Sequence, residues 1–126
     1  MKNIGIILLL ITLVNSSFSY AQAEGWPEWT PTECYENIEY RARLLKKNGT
    51  RYEWQIQFRN FYDRHVFFNY GTQENKEDLP LTTHRKSLRA GEVSTATHIF
   101  TNSPGFFLYT DKLSFNRDGS EILPCD

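Results

Sequence analysis

"IEYRARLLKKNGTRYEWQIQFRN" (Ile38 to Asn60) decides the fold. Ile38, Tyr40, Ala42 and Leu44 alternate with Glu39, Arg41 and Arg43. After the Asn-Gly pair, Tyr52, Trp54, Ile56 and Phe58 alternate with Glu53, Gln55, Gln57 and Arg59. A two-residue period puts one face of a strand on a core and leaves the other wet. Two such runs around Asn-Gly read as a β-hairpin.

The register follows from parity. Both apolar sets fall on even numbers, so facing residues must sum to an even number. A two-residue Asn48-Gly49 loop gives an odd sum and would turn Arg41 and Arg43 toward the core. A three-residue loop, Lys47-Asn48-Gly49, restores the even sum. It pairs Ala42 with Trp54, Tyr40 with Ile56 and Ile38 with Phe58, and sets Arg43 against Glu53. In this reading Trp54, Ile56 and Phe58 are core, and Arg59 and Asn60 lead into a turn.

The rest of the chain continues in short extended runs. "HVFFNYG" (65–71) is apolar on both faces at Phe67 and Phe68, so it should be more deeply buried. "THRKSLR" and "EVSTATHIF" flank Ala90-Gly91, "FFLYTDKLSF" carries a possible break at Thr110-Asp111, and "NRDG" turns into "SEILPC". No helical period occurs after the N-terminal segment. The expected fold is all-β: a single antiparallel β-sandwich of six to eight strands over residues 37–126, with a barrel as the weaker alternative.

Residues 1–23 read as a secretory signal peptide. Lys2 gives a positive start, Ile4 to Val14 are apolar, and Ala21-Gln22-Ala23 is a small-x-small cleavage site. The apolar run is too short to span a membrane. Residues 24–36, "EGWPEWTPTECYE", contain two prolines and no period, and read as an extended lead-in. The expected location is secreted or periplasmic. Removing Lys2 takes the formal charge from −1 to −2. That balance excludes a nucleic-acid binder that relies on a broad positive field.

Cys34 and Cys125 are the only cysteines. In an oxidising compartment they most simply pair, tying the start of the domain to its end. The alternative, two free thiols with one a nucleophile, has no Cys-x-x-Cys or nearby His behind it. If strands alternate up and down, a bonded pair favours six or eight strands, or a lead-in that runs back along the sandwich edge.

"EWQIQFRNFYDRHVFFNY" with the later "RKSLRAGE" resembles a pattern in small secreted bacterial proteins, in which a Trp-x-Ile-x-Phe-Arg-Asn strand leads into a Val-x-Phe-x-Tyr strand. The resemblance covers roughly half of the chain after the signal peptide. It implies an immunoglobulin-like or fibronectin-like sandwich and brings no catalytic residue with it.

Residues that carry chemistry elsewhere are scattered here. His65, His84 and His98 are separated by strands and turns; a metal would need two of them and a third donor together. Asp63, Asp111 and Asp118 sit in turn-like contexts, where Asp bonds locally. Arg41, Arg43, Arg59 and Arg64 lie near one hairpin, interleaved with Glu39 and Glu53, as on a solvated strand face. Trp26, Trp29, Tyr62, Tyr109 and Phe107 are candidates for an aromatic platform. Trp26 and Trp29 lead because they lie outside the alternating pattern. The expected function is therefore a secreted non-enzymatic sandwich that binds a protein or glycan at the cell envelope, without metal, cofactor or nucleic acid. A small secreted hydrolase or enzyme inhibitor is the alternative.

Overall fold

A computed structural model describes residues 25–79 and 81–126. The signal peptide expected over 1–23 lies outside them. Among the described residues seven strands run in order: β1 (Thr30–Pro31), β2 (Ile38–Asn48), β3 (Arg51–Asn60), β4 (Val66–Gln73), β5 (His84–Leu88), β6 (Thr97–Thr101) and β7 (Phe107–Ser114). They form two antiparallel sheets, ordered β1-β2-β3-β6 and β5-β4-β7, packed as a β-sandwich.

The core lies where the inward faces of the two sheets meet. Ile38, Ile56 and Phe58 from one sheet face Val66, Phe68, Tyr70, Leu88, Leu108 and Leu113 from the other. Phe58 contacts Phe68 edge-on at 5.4 Å and Tyr70 at 4.9 Å between ring centroids. Each fully buried side chain of this kind contributes about 1.5–3 kcal/mol. Phe67, on the opposite face of β4, is also buried, and the ring of His65 stacks on it at 4.6 Å.

The hairpin keeps the expected faces but shifts the expected register. Tyr40 faces Phe58, Ala42 faces Ile56 and Leu44 faces Trp54, while Arg43 faces Gln55 rather than Glu53. The loop is Gly49-Thr50, closed by the Asn48–Arg51 pair, not Lys47-Asn48-Gly49. Gly49 has a φ of 60°, as the first loop residue of a II′ turn requires. Such a loop gives an odd sum. A bulge between Leu44 and Lys46 adds one residue and restores the even one. Trp54 is only half-buried; it meets Phe106 edge-on at 5.1 Å and donates its Nε1–H to Thr101 Oγ1.

Three other expectations need correction. The segments around Ala90-Gly91 do not pair with each other: β5 joins β4, and β6 crosses to the opposite sheet beside β3. The irregularity in β7 falls after Thr110-Asp111, at a bulge where Lys112 has a φ of 54°. Residues 120–125 do not form a strand.

Asn60 closes β3 and is buried. Its amide donates to the carbonyls of Arg64, Leu88 and Arg89, and its Oδ1 accepts from the Tyr62 N–H. It therefore stitches the end of one sheet to the end of the other. At the same end of that sheet, just before the start of β2 that pairs with Asn60, Cys34 is disulfide-bonded to Cys125 with Cα atoms 4.6 Å apart. Six strands separate them, and β1 runs back along the edge of β2, so both routes expected for bringing the cysteines together operate. Beside the bridge, the Tyr35 hydroxyl donates to Leu123 O and accepts from the Leu113 N–H.

Candidate functional site

The outward face of β2 and β3 is set by the odd-numbered residues. Across the pair, Glu39 faces Arg59, Arg41 faces Gln57 and Arg43 faces Gln55. Long cationic side chains on one strand face stand in a row about 7 Å apart, because same-face residues are two steps apart. Partners across the hairpin and the lead-in beside it together fix where their guanidinium groups lie.

The lead-in supplies the stacking partners. β1 pairs with β2 through Thr30–Tyr40 and Pro31–Glu39, which lays the preceding residues alongside the sheet. Pro27 and Pro31 favour extended backbone there. Trp26 and Trp29 slot between the arginines. Arg43 lies over Trp26 at 4.4 Å, and Arg41 contacts both indoles, at 5.0 Å from Trp26 and 4.3 Å from Trp29. Arg59 lies between Trp29 at 4.5 Å and Phe61 at 4.4 Å. The order along the stack is Arg43, Trp26, Arg41, Trp29, Arg59, Phe61. Each contact contributes about 0.5–1 kcal/mol at a half-exposed site, more where water is excluded.

Hydrogen bonds hold the guanidinium planes. Arg41 donates through Nε and Nη2 to Gln57 Oε1, and Arg43 through Nε to Gln55 Oε1. Arg59 donates through Nε at 2.8 Å, and its Nη2 lies 2.7 Å from the same Glu39 Oε1. Glutamine is neutral, so its bond to Arg41 orients the charge without cancelling it. Burial, then the neighbouring charges of Arg59 and Arg43, hold the Arg41 guanidinium below its ordinary pKa. A cleft of about 320 Å³ beside the stack is lined by Trp26, Glu28, Trp29, Glu39, Arg41 and Arg59, with Pro27.

The proposed aromatic platform is thus a different object from the one expected. Trp26 and Trp29 are together, but guanidinium groups cover their faces. Tyr62 packs on Phe115, and Tyr109 and Phe107 lie on β7 in the other sheet. Arg64 stacks on Phe115 and is not part of the Trp–Arg row.

The histidines are not brought together. His84 stacks on Tyr70 in one sheet. His98, in the other, contacts Glu53 at 3.0 Å and Gln55 at 3.2 Å. His65 lies 3.2 Å from Ser87 Oγ, but among the described residues no carboxylate orients its second ring nitrogen. Asp111 accepts from Thr82, and Asp118 accepts from the Ser120 backbone and hydroxyl, which hold its carboxyl below the usual range. Among the described residues no three His, Cys, Asp or Glu side chains are grouped to hold a metal ion.

Sequence reasoning missed the interleaving. The available signal was the spacing: two indoles three residues apart in a Pro-stiffened segment, and arginines two apart on one strand. No family model, curated protein or solved structure matches this chain.

Proposed function

We propose that this is an exported, non-enzymatic binding module of the cell envelope, and that its contact surface is the outer face of β2 and β3 with the lead-in laid across it. The observation that carries the reading is the six-layer stack. Holding three guanidinium groups in fixed planes on a surface exceeds what the sandwich needs for its core. It lowers the ordering cost that flexible side chains add to recognition. The disulfide supports an oxidising compartment, in keeping with the signal peptide read from the sequence. The strand order supports an immunoglobulin-like or fibronectin-like wiring, with β2, β3 and β6 opposite β5, β4 and β7.

A glycan and envelope-protein binding screen on the chain without residues 1–23 tests this reading. Trp26→Ala/Trp29→Ala should abolish a captured interaction while the thermal midpoint falls by only a few degrees. Equal loss of binding and folding would reduce the stack to a structural brace. Turnover of a screened substrate by the pure protein would contradict the non-enzymatic reading.

A further inference from the structure

The charge of this chain is unevenly placed. Residues 38–60 carry six Lys or Arg against two Glu, a net of +4. The rest of the chain from Gly25 onward carries seven against twelve, a net of −5. The near-neutral total hides a basic hairpin on an acidic body. The hairpin's two acids are already engaged: Glu39 with Arg59, and Glu53 with His98 and Lys46.

The positive charge also continues beyond the stack to the hairpin tip. Lys46 and Arg51 are exposed there on the same face, while Lys47 lies over the Tyr52 ring on the other face. Arg51 lies over the exposed ring of Phe100 at 4.1 Å, and a cleft of about 280 Å³ between them is lined by Lys46, Asn48, Arg51, Glu53 and Phe100. From Arg59 to Arg51 the strand spans about 27 Å. At each end an exposed phenyl ring sits against a guanidinium: Phe61 with Arg59, and Phe100 with Arg51.

We infer that the outer face of the β2–β3 hairpin binds a linear acidic polysaccharide, with carboxylate or sulfate groups placed along the row of cations from the stack to the tip. The inference rests on the binding-module reading above and names its ligand class. A long row suits a polymer with a repeating charge; a small anion would meet only one or two of these groups. Guanidinium groups bind carboxylate and sulfate oxygens through paired N–H bonds, and a ring beside a cation offers a sugar both an apolar face and a charge. Nucleic acid fits less well: the exposed rings Phe61 and Phe100 stand at opposite ends of the row and not as successive stacking platforms for bases, and the disulfide supports an oxidising, non-cytoplasmic compartment.

The test is binding of the chain without residues 1–23 to dextran sulfate and polygalacturonate, with neutral dextran and a single-stranded oligonucleotide as controls. The expected result is binding to at least one acidic polysaccharide, none to dextran, and a loss of roughly tenfold or more between about 50 and 200 mM salt. Lys46→Gln/Arg51→Gln, both exposed on the outer face, should weaken binding about tenfold or more with an unchanged thermal midpoint, as loss of two ionic contacts implies. Lys112→Gln/Arg117→Gln, on and after β7, should leave it unchanged. Failure to bind either acidic polymer, equal binding to dextran, tighter binding to the oligonucleotide, or an unaffected tip variant would overturn the inference. A chain that captures an envelope ligand through the stack yet ignores both acidic polymers would refute this ligand class and leave the binding-module reading standing.

Discussion

Replacing Asn60 by Ala should be among the most damaging single changes outside the apolar core. The side chain is 1% exposed, and its amide serves three carbonyls while its oxygen serves one N–H. An amide has two hydrogens, so the contact at 3.3 Å to Leu88 O is the weakest of the three. Truncation leaves the Tyr62 N–H without its acceptor and takes the amide donor from the Arg64 and Leu88 carbonyls, while Arg89 O keeps the Glu92 N–H. At about 1 kcal/mol or more for each unsatisfied group, less what entering water restores, the loss is about 2–4 kcal/mol. Urea unfolding followed by tryptophan fluorescence, with the disulfide intact, measures it. Asn69→Ala is the control: the same residue type, bonded to Arg85 on an exposed face, should cost less than about 0.5 kcal/mol. Equal losses, or a loss below 1 kcal/mol for Asn60→Ala, would refute the assignment of Asn60 as the stitch between the sheets.

Further expectations concern core, backbone, bridge and pH. Phe58→Ala should cost about 3–5 kcal/mol and Phe100→Ala, on the exposed face, under about 1 kcal/mol in the same melts. Gly71→Ala should lower the unfolding midpoint and loosen the loop before β5, because the new Cβ would sit 1.8 Å from the Leu81 carbonyl oxygen; hydrogen exchange across residues 74–83 reads this directly. Mass spectrometry after alkylation of the folded protein should find no modified cysteine, and reduction should cost about 2–5 kcal/mol; two alkylated cysteines in the folded monomer would contradict the bridge. Burial raises the pKa of Tyr35, Tyr40, Tyr62 and Tyr70 above 10.0. A raised folded-state value favours the neutral phenol in the fold, so this stability is complete below pH 10 and is lost as pH rises through the folded values. Thermal midpoints should therefore be flat with respect to these groups up to about pH 9 and fall from about pH 10 upward.

The faces of the hairpin were legible because the side-chain period of a strand is two, and parity survives any compensated shift. The register was not. The bulge at Leu45 and the Gly49-Thr50 loop each change the sum by an odd amount, and together they cancel in parity while moving every partner. The only local sign was the Leu44-Leu45 doublet, a break in the alternation. The crossing of β6 to pair with β3 was hidden for a similar reason: Ala90-Gly91 has turn chemistry whether the chain folds back in one sheet or passes to the other. The burial of Asn60 was hidden because Asn at a strand end is equally at home in an exposed turn. The ingredients of the stack were visible as Trp26, Trp29, Arg41, Arg43 and Arg59. Their order was not, since it depends on the lead-in lying along the outer edge of β2, a tertiary contact with no local signature.

The central claim, that the Trp–Arg stack is a pre-ordered contact surface for an acidic chain, is met most directly by the arginine side-chain Nε–H signals. In a proton–nitrogen spectrum of the free protein, the Nε–H groups of Arg41, Arg43 and Arg59 should be resolved and slow to exchange, because each donates to a fixed oxygen. On titration with oligogalacturonate these three signals and the amides of residues 44–54 should shift together, while those of β4, β5 and β7 stay in place. Averaged, rapidly exchanging Nε–H signals in the free protein, or shifts confined to the β5-β4-β7 sheet, would contradict it.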